Sequence, residues 1–554
     1  MDPFIPNTWQ PRINIVCPHA FIQLRCCLDA SIKGRHQRLA YARRSPRALT
    51  MSLNEKTSAP SLSVEAESLL LEIDPVAERK LVRKLDWSLL PLFTLLYVTN
   101  FVDRTAIGNA KIAGIERDLH MKGYDFNVAL TVFYIFYMVS EIPSNLVLKR
   151  YGSVWLSFTV VAFGVVSIAT AFVQNFAGLV VTRVFLGMAE GGTLAGLTYI
   201  ISRYYRRREL VMRIGIFFGV SAPLGGAFGG LLASGLLSVD SIGSVTSWRK
   251  IFLVEGVITT GVGILGFWII PTDPVHTKML TEEERALALA RISADQAVST
   301  DGKKERTSLS LVLRSFNIHT TFCALCYFLV NISFQGLALF MPTVIATLGK
   351  FTVVQSQLRT VPPYIVSVFW TLFISWVALR YRTHGVTIGV SAVFQIVGYA
   401  VFVGTKNSDA RYAACFLALF ATPIGPLSLA WATANAAPDT MRAVTSATVP
   451  GVGAFGAILA VWTYLPSDAP NYHNGNILNL STASCILTLA ILASLYIRWE
   501  NAKRDRGERD SRVKGLDEEQ QRQLGYRHPK FMRVVPSCIA DCLIPFAGIS
   551  TSTL

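Results

Sequence analysis

Long apolar stretches separated by short polar breaks recur along the chain between residues 87 and 500. At ~1.5 Å of rise per residue, each stretch is long enough for a helix that crosses ~30 Å of hydrocarbon. We number the predicted helices spans 1 to 12, and they cover 87–110, 126–148, 154–173, 177–202, 211–237, 249–270, 318–347, 357–380, 384–404, 411–433, 442–465 and 476–499. The pattern predicts an all-α membrane protein with twelve transmembrane helices in two six-helix halves.

The polar segments divide the chain into two tails, two halves and a linker. The predicted parts are an N-terminal tail 1–85, a first half 86–270, a linker 271–317, a second half 318–500 and a C-terminal tail 501–554. The linker is predicted to contain a surface helix with Thr281 as its N-cap, ahead of Glu282, Glu283 and Glu284. Because the number of spans is even, we expect both tails on the same side of the membrane.

The charge distribution indicates membrane topology rather than a nucleic-acid partner. Only 16% of the 554 residues are charged, whereas about 25% is usual in soluble proteins. The formal net charge of +16 comes mainly from the tails and from alternate loops, which contain 149–150, 206–208, 303–306, Arg380 and Arg382. Basic loops of this kind mark the cytoplasmic side. We therefore expect a multi-pass protein of the plasma membrane with both termini in the cytoplasm, the bilayer as a partner and no nucleic acid.

The N-terminal end of the chain carries no predicted signal peptide, because residues 1–50 lack a continuous apolar core. Met51 is followed by a polar stretch that is ordinary for a cytoplasmic tail. We therefore expect residues 1–50 to be an artefact of gene prediction, with translation starting at Met51.

Few charges lie inside the predicted spans, and nearly all of them are in the first half. They are Asp103 and Arg104 in span 1, Glu141 in span 2, Arg183 and Glu190 in span 4, and Glu255 in span 6. A charged side chain in the bilayer is costly unless it faces a cavity or a partner. These residues are therefore the strongest functional indication in the sequence.

The depths of these charges predict that spans 1 and 4 share a site. Asp103 lies ~24 Å from the inner end of span 1, and Arg183 lies ~9 Å from the outer end of span 4, so their heights are similar. Arg183 and Glu190 are two helical turns apart and face the same way. Gly187 between them predicts a surface that another helix or a substrate can approach closely.

The buried charges allow a functional and a structural interpretation. An arginine stays charged and holds a carboxylate with two hydrogen bonds, which suits an anionic substrate. A carboxylate in a dehydrated cavity can carry a proton. The alternative is that the charges form structural ion pairs that fix the packing of spans 1 and 4.

Several polar and aromatic residues are further candidates for the cavity. Tyr97 and Asn100 precede Arg104 by one to two turns, and Asn331 and Gln335 lie one turn apart in span 7. Each of these sets either contacts substrate or forms hydrogen bonds between helices. The aromatic residues Tyr97, Phe101, Tyr364 and Trp370 would permit a substrate with a small ring.

The sequence gives no sign of enzyme chemistry or of a cofactor. The eight histidines have no metal-ligand spacing, and no pairing of a nucleophile with a base lies at membrane depth. Cys323 and Cys326 lie in an apolar span, where we expect them to pack and not to form a redox site. We predict no metal, no cofactor and no enzyme activity.

Five motifs resemble one branch of a transporter family. They are NFVDRTAIGNAKIAG at 100–114, EIPSNLVLKRYG at 141–152, TRVFLGMAEGG at 182–192, FLVEG at 252–256 and NAAPDTMRA at 435–443. Together they resemble the major facilitator superfamily and, within it, the anion:cation symporter branch of the fungal allantoate permease and nicotinic acid transporter type. By this resemblance residues 536–554 are foreign to the family, and we expect a second artefact of gene prediction there.

The resemblance implies roles for the buried charges. Asp103 and Glu190 would be the proton-coupling sites, and Arg104 and Arg183 would bind the anion or gate its path. The loop between spans 2 and 3 departs from the usual superfamily pattern, since its acidic residue is missing. The corresponding gating positions are occupied by Asn145, Lys149, Arg150 and Gly152.

The sequence thus predicts a monomeric symporter that takes up a small organic carboxylate, such as nicotinate or allantoate, with protons by alternating access. Two other interpretations remain within transport, namely an uncoupled facilitator and an exporter. A transporter-like nutrient sensor is a further alternative from a different class.

Overall fold

The computed structural model describes residues 74–243, 245–271, 273–300, 313–381, 383–436, 439–516, 524–529 and 531. Within these ranges, twelve helical segments are long and apolar enough to cross a membrane. The all-helical fold with twelve spans is therefore confirmed. The expectations for residues 1–50 and 536–554 concern parts of the chain outside the described residues.

The helices follow the predicted order of spans. Spans 1 to 6 lie in Pro75–Ile112, Asp125–Tyr151, Ser153–Thr170, Phe176–Glu190 with Thr193–Ser202, Arg207–Leu237 and Arg249–Ile269. Spans 7 to 12 lie in Ile318–Ala346, Val353–Leu358 with Val361–Tyr381, His384–Gly404, Ser408–Leu419 with Ile424–Ala434, Asp439–Val461 and His473–Asp505. Outside the spans are the short helix Ile115–Asp118, the linker helix Glu282–Thr300, and a small hairpin in which Ser241–Ile242 pairs antiparallel with Val245–Thr246.

The helix of span 1 begins at Pro75, well before the predicted start at residue 87. The Asp74 carboxylate caps it by accepting hydrogen bonds from the amides of Val76, at 2.9 Å, and Ala77, at 3.2 Å. This polar extension buries Leu81 and Leu85. A search for apolar runs misses it, because the extension packs one apolar face and has a polar remainder.

Spans 4, 8 and 10 are each interrupted, which the apolar pattern did not predict. Gly191 and Gly192 separate the two helices of span 4, and Pro423 precedes the second helix of span 10. Span 8 breaks just before Pro362 and Pro363, at residues 359–360. Proline lacks the amide hydrogen that continues a helix, and glycine adds backbone entropy.

The alternation of spans defines two sides of the molecule. The side that carries the start of span 1, the end of span 12 and the linker helix is called the linker side. The side that carries the hairpin at 241–246 is called the hairpin side.

The linker helix is attached to the first half by ion pairs. The buried Arg291 guanidinium lies 2.9 Å from Glu78 and 2.7 Å from Glu209, which belong to the helices of spans 1 and 5. Lys84 pairs with Glu284 at 2.5 Å. The linker helix therefore extends the first half on the linker side.

The predicted cap of the linker helix is present. The Thr281 hydroxyl accepts from the Glu284 amide at 3.3 Å, and the Glu284 carboxylate accepts from the Thr281 amide at 3.0 Å. The hydrogen bond from Lys84 and that from the Thr281 amide lower the pKa of Glu284. This contribution to stability is complete above the ordinary glutamate pKa and is lost as the pH falls through the lowered value.

Contacts between the two halves close the hairpin side. The Asn127 amide of span 2 donates to the Val461 carbonyl of span 11 at 2.6 Å, and the Gln357 amide donates to the Asn109 carbonyl at 3.0 Å. Gly108 lies against the Leu339 carbonyl, where a β-carbon would clash. This close approach brings spans 1 and 7 together on the hairpin side of the protein centre.

Candidate functional site

A buried ion pair joins spans 1 and 4. Arg104 Nη2 lies 3.1 Å from Glu190 Oε2, and the two side chains are 6% and 0% exposed. The guanidinium also lies over the rings of Phe133 and Tyr137, 5.6 and 4.9 Å from their centres. The faces of aromatic rings attract a cation. Arg104 is therefore held by one carboxylate and two rings.

Asp103 faces another part of the first half. Its Oδ2 accepts a hydrogen bond from the Thr259 hydroxyl of span 6 at 2.9 Å. Adjacent residues of a helix point about 100° apart, so Asp103 and Arg104 reach different neighbours. Asp103 Oδ1 is buried and has no hydrogen-bond partner among the described residues.

Arg183 lies on the hairpin side of Glu190 in span 4. It is 2% exposed, and its guanidinium lies 5.5 Å from the ring centre of Phe252 in span 6. Within the described part of the chain, its Nε and Nη2 have no hydrogen-bond partner. Arg183 is thus a buried cation with hydrogen-bond donors that a ligand could use.

A central cavity lies between the halves, on the linker side of the contacts that close the hairpin side. Four of the predicted binding residues line it, namely Tyr97, Arg104, Asn331 and Gln335. The rest of its wall includes Phe101, Tyr134, Tyr137, Glu141, Leu194, Phe218, Tyr327, Phe334, Thr422, Pro426 and Pro450. The wall is aromatic with a few polar groups, which is typical of a small-molecule site.

A second, smaller space lies on the hairpin side of this cavity. It is lined by Arg104, Leu130, Phe133, Tyr134, Arg183 and Leu339. Arg104 and Tyr134 belong to both walls. Arg183 is absent from the lining of the central cavity in this conformation and faces the smaller space instead.

The remaining candidates differ in what they contact. Asn100 Oδ1 accepts from Arg104 at 3.3 Å and does not line the central cavity. Asn331 lines the cavity and also donates to the Gly453 carbonyl of span 11 at 2.9 Å. Asn331 therefore forms the expected hydrogen bond between helices, and its contact with substrate stays a prediction. The Oε1 atom of Gln335 has no hydrogen-bond partner within the described ranges.

Two predicted aromatic residues lie away from the cavity. Trp370 stacks on Phe420 with ring centres 4.5 Å apart, and Tyr364 packs against Gly226. Neither residue lines the central cavity. Both side chains are used in packing instead, Trp370 within the second half and Tyr364 between spans 5 and 8.

The predicted gating residues lie at the linker-side end of span 2. The Asn145 side chain donates to the Glu141 carbonyl at 2.9 Å, and Arg150 lies over the ring of Tyr151. Gly152 separates spans 2 and 3 with a positive φ of 59°, a backbone conformation that favours glycine. The side chain of Lys149 is outside the described set. Gating by these four residues stays a prediction.

Sequence reasoning missed three tyrosines of the cavity and gave Glu141 no role. Tyr134, Tyr137 and Glu141 follow each other at intervals of three and four residues, and Tyr327 faces them from span 7. That interval places the first three on one face of span 2. The sequence signal was weak, because tyrosines at this spacing are as common in the packing of helices as in binding sites.

No metal-binding group of three or more ligands occurs among the described residues.

Comparison with known proteins identifies the family of the chain. Residues 93–461 match the Major Facilitator Superfamily. The MFS-type transporter efuF of Hormonema carpetanum is 30% identical over 78% of this chain and 88% of its own length. The Major facilitator-type transporter hxnP of Emericella nidulans is 28% identical over 83% of this chain and 94% of its own.

Among solved structures, the fold is similar to that of a bacterial homologue of the human lysosomal transporter Spinster, in an inward-facing and unoccupied conformation. The TM-score is 0.55 at 17% identity, over 73% of this chain and 95% of the other. Fold, family match and relatives agree on a membrane transporter and not an enzyme. The chain belongs to the Major Facilitator Superfamily.

Proposed function

We propose that this transporter carries a small organic carboxylate inward together with protons, across a plasma membrane whose cytoplasmic face is the linker side. The observation that carries the proposal is the position of Arg104, a cation that lines the central cavity while it is paired with the buried Glu190. The resemblance to the anion:cation symporter branch supports the same assignment. The basic loops on the linker side support its placement in the cytoplasm.

The Arg104–Glu190 pair offers a direct way to couple an anion to a proton. A substrate carboxylate that approaches Arg104 competes with Glu190 for the same guanidinium. Protonation of Glu190 removes the competing charge and frees the hydrogen-bond donors of Arg104. An ionised Glu190 that returns to Arg104 expels the anion, so binding and release follow the proton.

Asp103 is the second proposed proton site. Its carboxylate is buried between spans 1 and 6 and accepts one hydrogen bond, from Thr259. A proton there removes a negative charge next to the path of the anion. The two carboxyls thus act in the same direction, since each makes the site more attractive to an anion when it is protonated.

The two spaces that share Arg104 suggest the route of the substrate. Arg183 faces the smaller space on the hairpin side, and Arg104 faces both spaces. An anion that enters from the hairpin side would meet Arg183 first and then Arg104. Rocking of the two halves would open one space and close the other.

The walls of the cavity favour a carboxylate that carries a flat ring. Polar groups are few in these walls, and the aromatic surface is provided by Tyr97, Phe101, Tyr134, Tyr137 and Tyr327. A pyridine carboxylate such as nicotinate would combine an anionic group for Arg104 with a ring for these side chains. Allantoate and pantothenate are the non-aromatic members of the same test panel.

Uptake into liposomes that contain the purified protein tests the proposal. We expect radiolabelled nicotinate, allantoate or pantothenate to accumulate above equilibrium only when the outside is more acidic than the inside. A protonophore should abolish accumulation. Glu190→Gln should lose gradient-driven accumulation and keep exchange of internal for external substrate, because exchange does not require proton release from the empty carrier.

The matched control is Glu283→Gln on the exposed face of the linker helix, which should leave uptake unchanged. Accumulation that survives in both Glu190→Gln and Asp103→Asn would contradict the proton sites. Uptake that is unaffected by the protonophore indicates a facilitator. Accumulation that requires the inside to be more acidic than the outside indicates an exporter, which exchanges substrate for protons. Binding without any flux indicates a sensor.

A further inference from the structure

Span 6 carries a buried carboxyl that the proposed mechanism does not use. Glu255 is 1% exposed, and neither of its oxygen atoms has a hydrogen-bond partner among the described residues. It lies ~9 Å along the helix from the start of span 6 at Arg249. An ionised carboxylate in such surroundings lacks both water and a partner, which is strongly unfavourable.

The ionisable group that acts on Glu255 belongs to span 1, and a further charge lies on span 4. Asp103 of span 1 interacts electrostatically with it, and Thr259, one turn further along span 6, donates to Asp103. Arg183 of span 4 lies over Phe252, which is three residues before Glu255. Spans 3 and 5, which also pack against span 6, contain no titratable residue between 153 and 170 or between 215 and 237.

An apolar groove borders Glu255 on its other side. The groove lies between spans 1, 5 and 6 and is lined by Glu255 and Thr259 together with apolar residues, among them Leu95, Val98, Val102, Phe228, Leu231 and Ile258. Phe228 is 58% exposed and Leu231 is 50% exposed on the lipid-facing surface. Glu255 therefore lies between Asp103 and hydrocarbon, away from the central cavity.

Three buried carboxyls and two buried guanidinium groups meet where spans 1, 4 and 6 pack together. The set comprises Arg104 and Arg183 with Asp103, Glu190 and Glu255. Two other charges lie outside it, because Glu141 of span 2 faces the central cavity and the Lys250 ammonium donates to the Val239 carbonyl at the start of span 6. The set is therefore neutral only when one of its carboxyls holds a proton. Glu190 is paired with Arg104 and Asp103 accepts from Thr259, so the extra proton belongs to the Asp103 and Glu255 side of the site.

We propose that Glu255 is a third proton-binding site of the transporter, which shares a proton with Asp103 so that only one of these two carboxyls is ionised at a time. This inference rests on the proton coupling proposed above. Two nearby carboxyls disfavour simultaneous ionisation, and they titrate as a pair. Glu255 thereby strengthens proton binding at Asp103.

The test is the pH dependence of uptake in liposomes for wild type, Glu255→Gln, Asp103→Asn and the double variant. Glutamine has the shape of glutamate but no charge, so a negative charge on residue 255 no longer disfavours ionisation of Asp103. We expect the midpoint of uptake in Glu255→Gln to fall by about 0.5 to 1 pH unit. In the Asp103→Asn background, where accumulation is expected to be lost, substrate exchange is measured instead, and Glu255→Gln should not shift its pH profile.

The outcomes separate this inference from the proposed function. A pH-dependent wild type whose profile coincides with that of Glu255→Gln would overturn the third proton site and leave the coupling intact. An equal shift in both backgrounds would overturn the sharing with Asp103. A wild type whose uptake does not depend on pH would contradict both proposals. Substrate exchange by Glu255→Gln, with Glu283→Gln as a control, verifies that the variant is folded.

Discussion

Asp103 and Arg104 are neighbours in sequence, yet they contact different helices. Arg104 reaches Glu190 of span 4, whereas Asp103 reaches Thr259 of span 6. The depth of these charges follows from counting residues along each span, which correctly brought spans 1 and 4 together. The choice of partner depends on the rotation of each helix about its axis, and neither depth nor spacing determines that rotation.

At the residue scale, Arg104→Lys should reduce the initial rate of substrate uptake roughly 10- to 100-fold, because a lysine offers a single ammonium in place of a planar fork. It should also weaken the contact with the rings of Phe133 and Tyr137. Initial rates in liposomes at saturating and limiting substrate measure the effect.

The control for this variant is Arg203→Lys. Arg203 pairs with Asp273 at 2.6 Å on the linker side, and its side chain is 42% exposed. Surface ion pairs contribute only ~0–1 kcal/mol, so this replacement should leave uptake unchanged. Equal rates for Arg104→Lys and wild type would mean that the fork of Arg104 is not needed for substrate.

At the element scale, span 4 packs tightly against span 2 along its glycines. A β-carbon at Gly187 would lie 2.5 Å from the Phe133 carbonyl oxygen. The sequence predicted a surface open to a helix or a substrate, and a helix occupies it. Because Phe133 and Tyr137 of that helix support Arg104, the packing of spans 2 and 4 also positions the cation.

Gly187→Val should therefore separate spans 2 and 4 and destabilise the transporter. Overpacking of a close interface typically costs ~1–3 kcal/mol, and we expect the midpoint of thermal unfolding in detergent to fall by several degrees. Gly261→Ala is the control, since no atom lies within 4 Å of a β-carbon added there. An unchanged midpoint for Gly187→Val would show that the interface can expand freely.

Helix boundaries were predictable only where apolar residues mark them. The start of span 6 at Arg249 and the ends of span 9 at His384 and Gly404 coincide with the predictions. The helix of span 12 continues to Asp505, beyond the predicted end at 499, because its last turns are polar. Hydropathy indicates which residues lie in the apolar part of the membrane. It does not indicate how far a helix extends beyond the membrane with polar residues.

At the scale of the whole molecule, hydrogen bonds between the halves hold the hairpin side closed. The bond from Asn127 to the Val461 carbonyl is buried, so its loss leaves a carbonyl without a partner. Nothing in the sequence indicates this bond, since an asparagine in span 2 and a backbone carbonyl in span 11 share no pattern. Such contacts depend on the conformation that the two halves adopt.

Asn127→Ala should make the hairpin side open more often. A net contribution of ~1 kcal/mol per hydrogen bond corresponds to about a fivefold change in population. A cysteine placed at Leu130, which lines the smaller space, should then react about fivefold faster with a membrane-impermeant thiol reagent added to the hairpin side. Replacement of Cys485, the exposed cysteine among the four described ones, by serine removes a competing reaction.

Asn474→Ala is the matched control, since Asn474 also lies on the hairpin side but bonds to Asp468 within the second half. It should leave the reactivity of the cysteine at residue 130 unchanged. Equal reactivity in the Asn127→Ala and Asn474→Ala backgrounds would show that the bond to Val461 does not hold the two halves together.

The set of two guanidinium groups and three carboxyls in the first half has a consequence for the membrane potential. With one shared proton the empty set carries no net charge, and a bound monoanion that arrives with one further proton leaves it neutral. A neutral set crosses the electric field without electrical work, whereas each uncompensated charge involves ~2.3 kcal/mol per 100 mV. A dianion would leave an excess negative charge and would be opposed by a negative interior. The proposed arrangement would therefore select monocarboxylates through voltage as well as through the shape of the cavity.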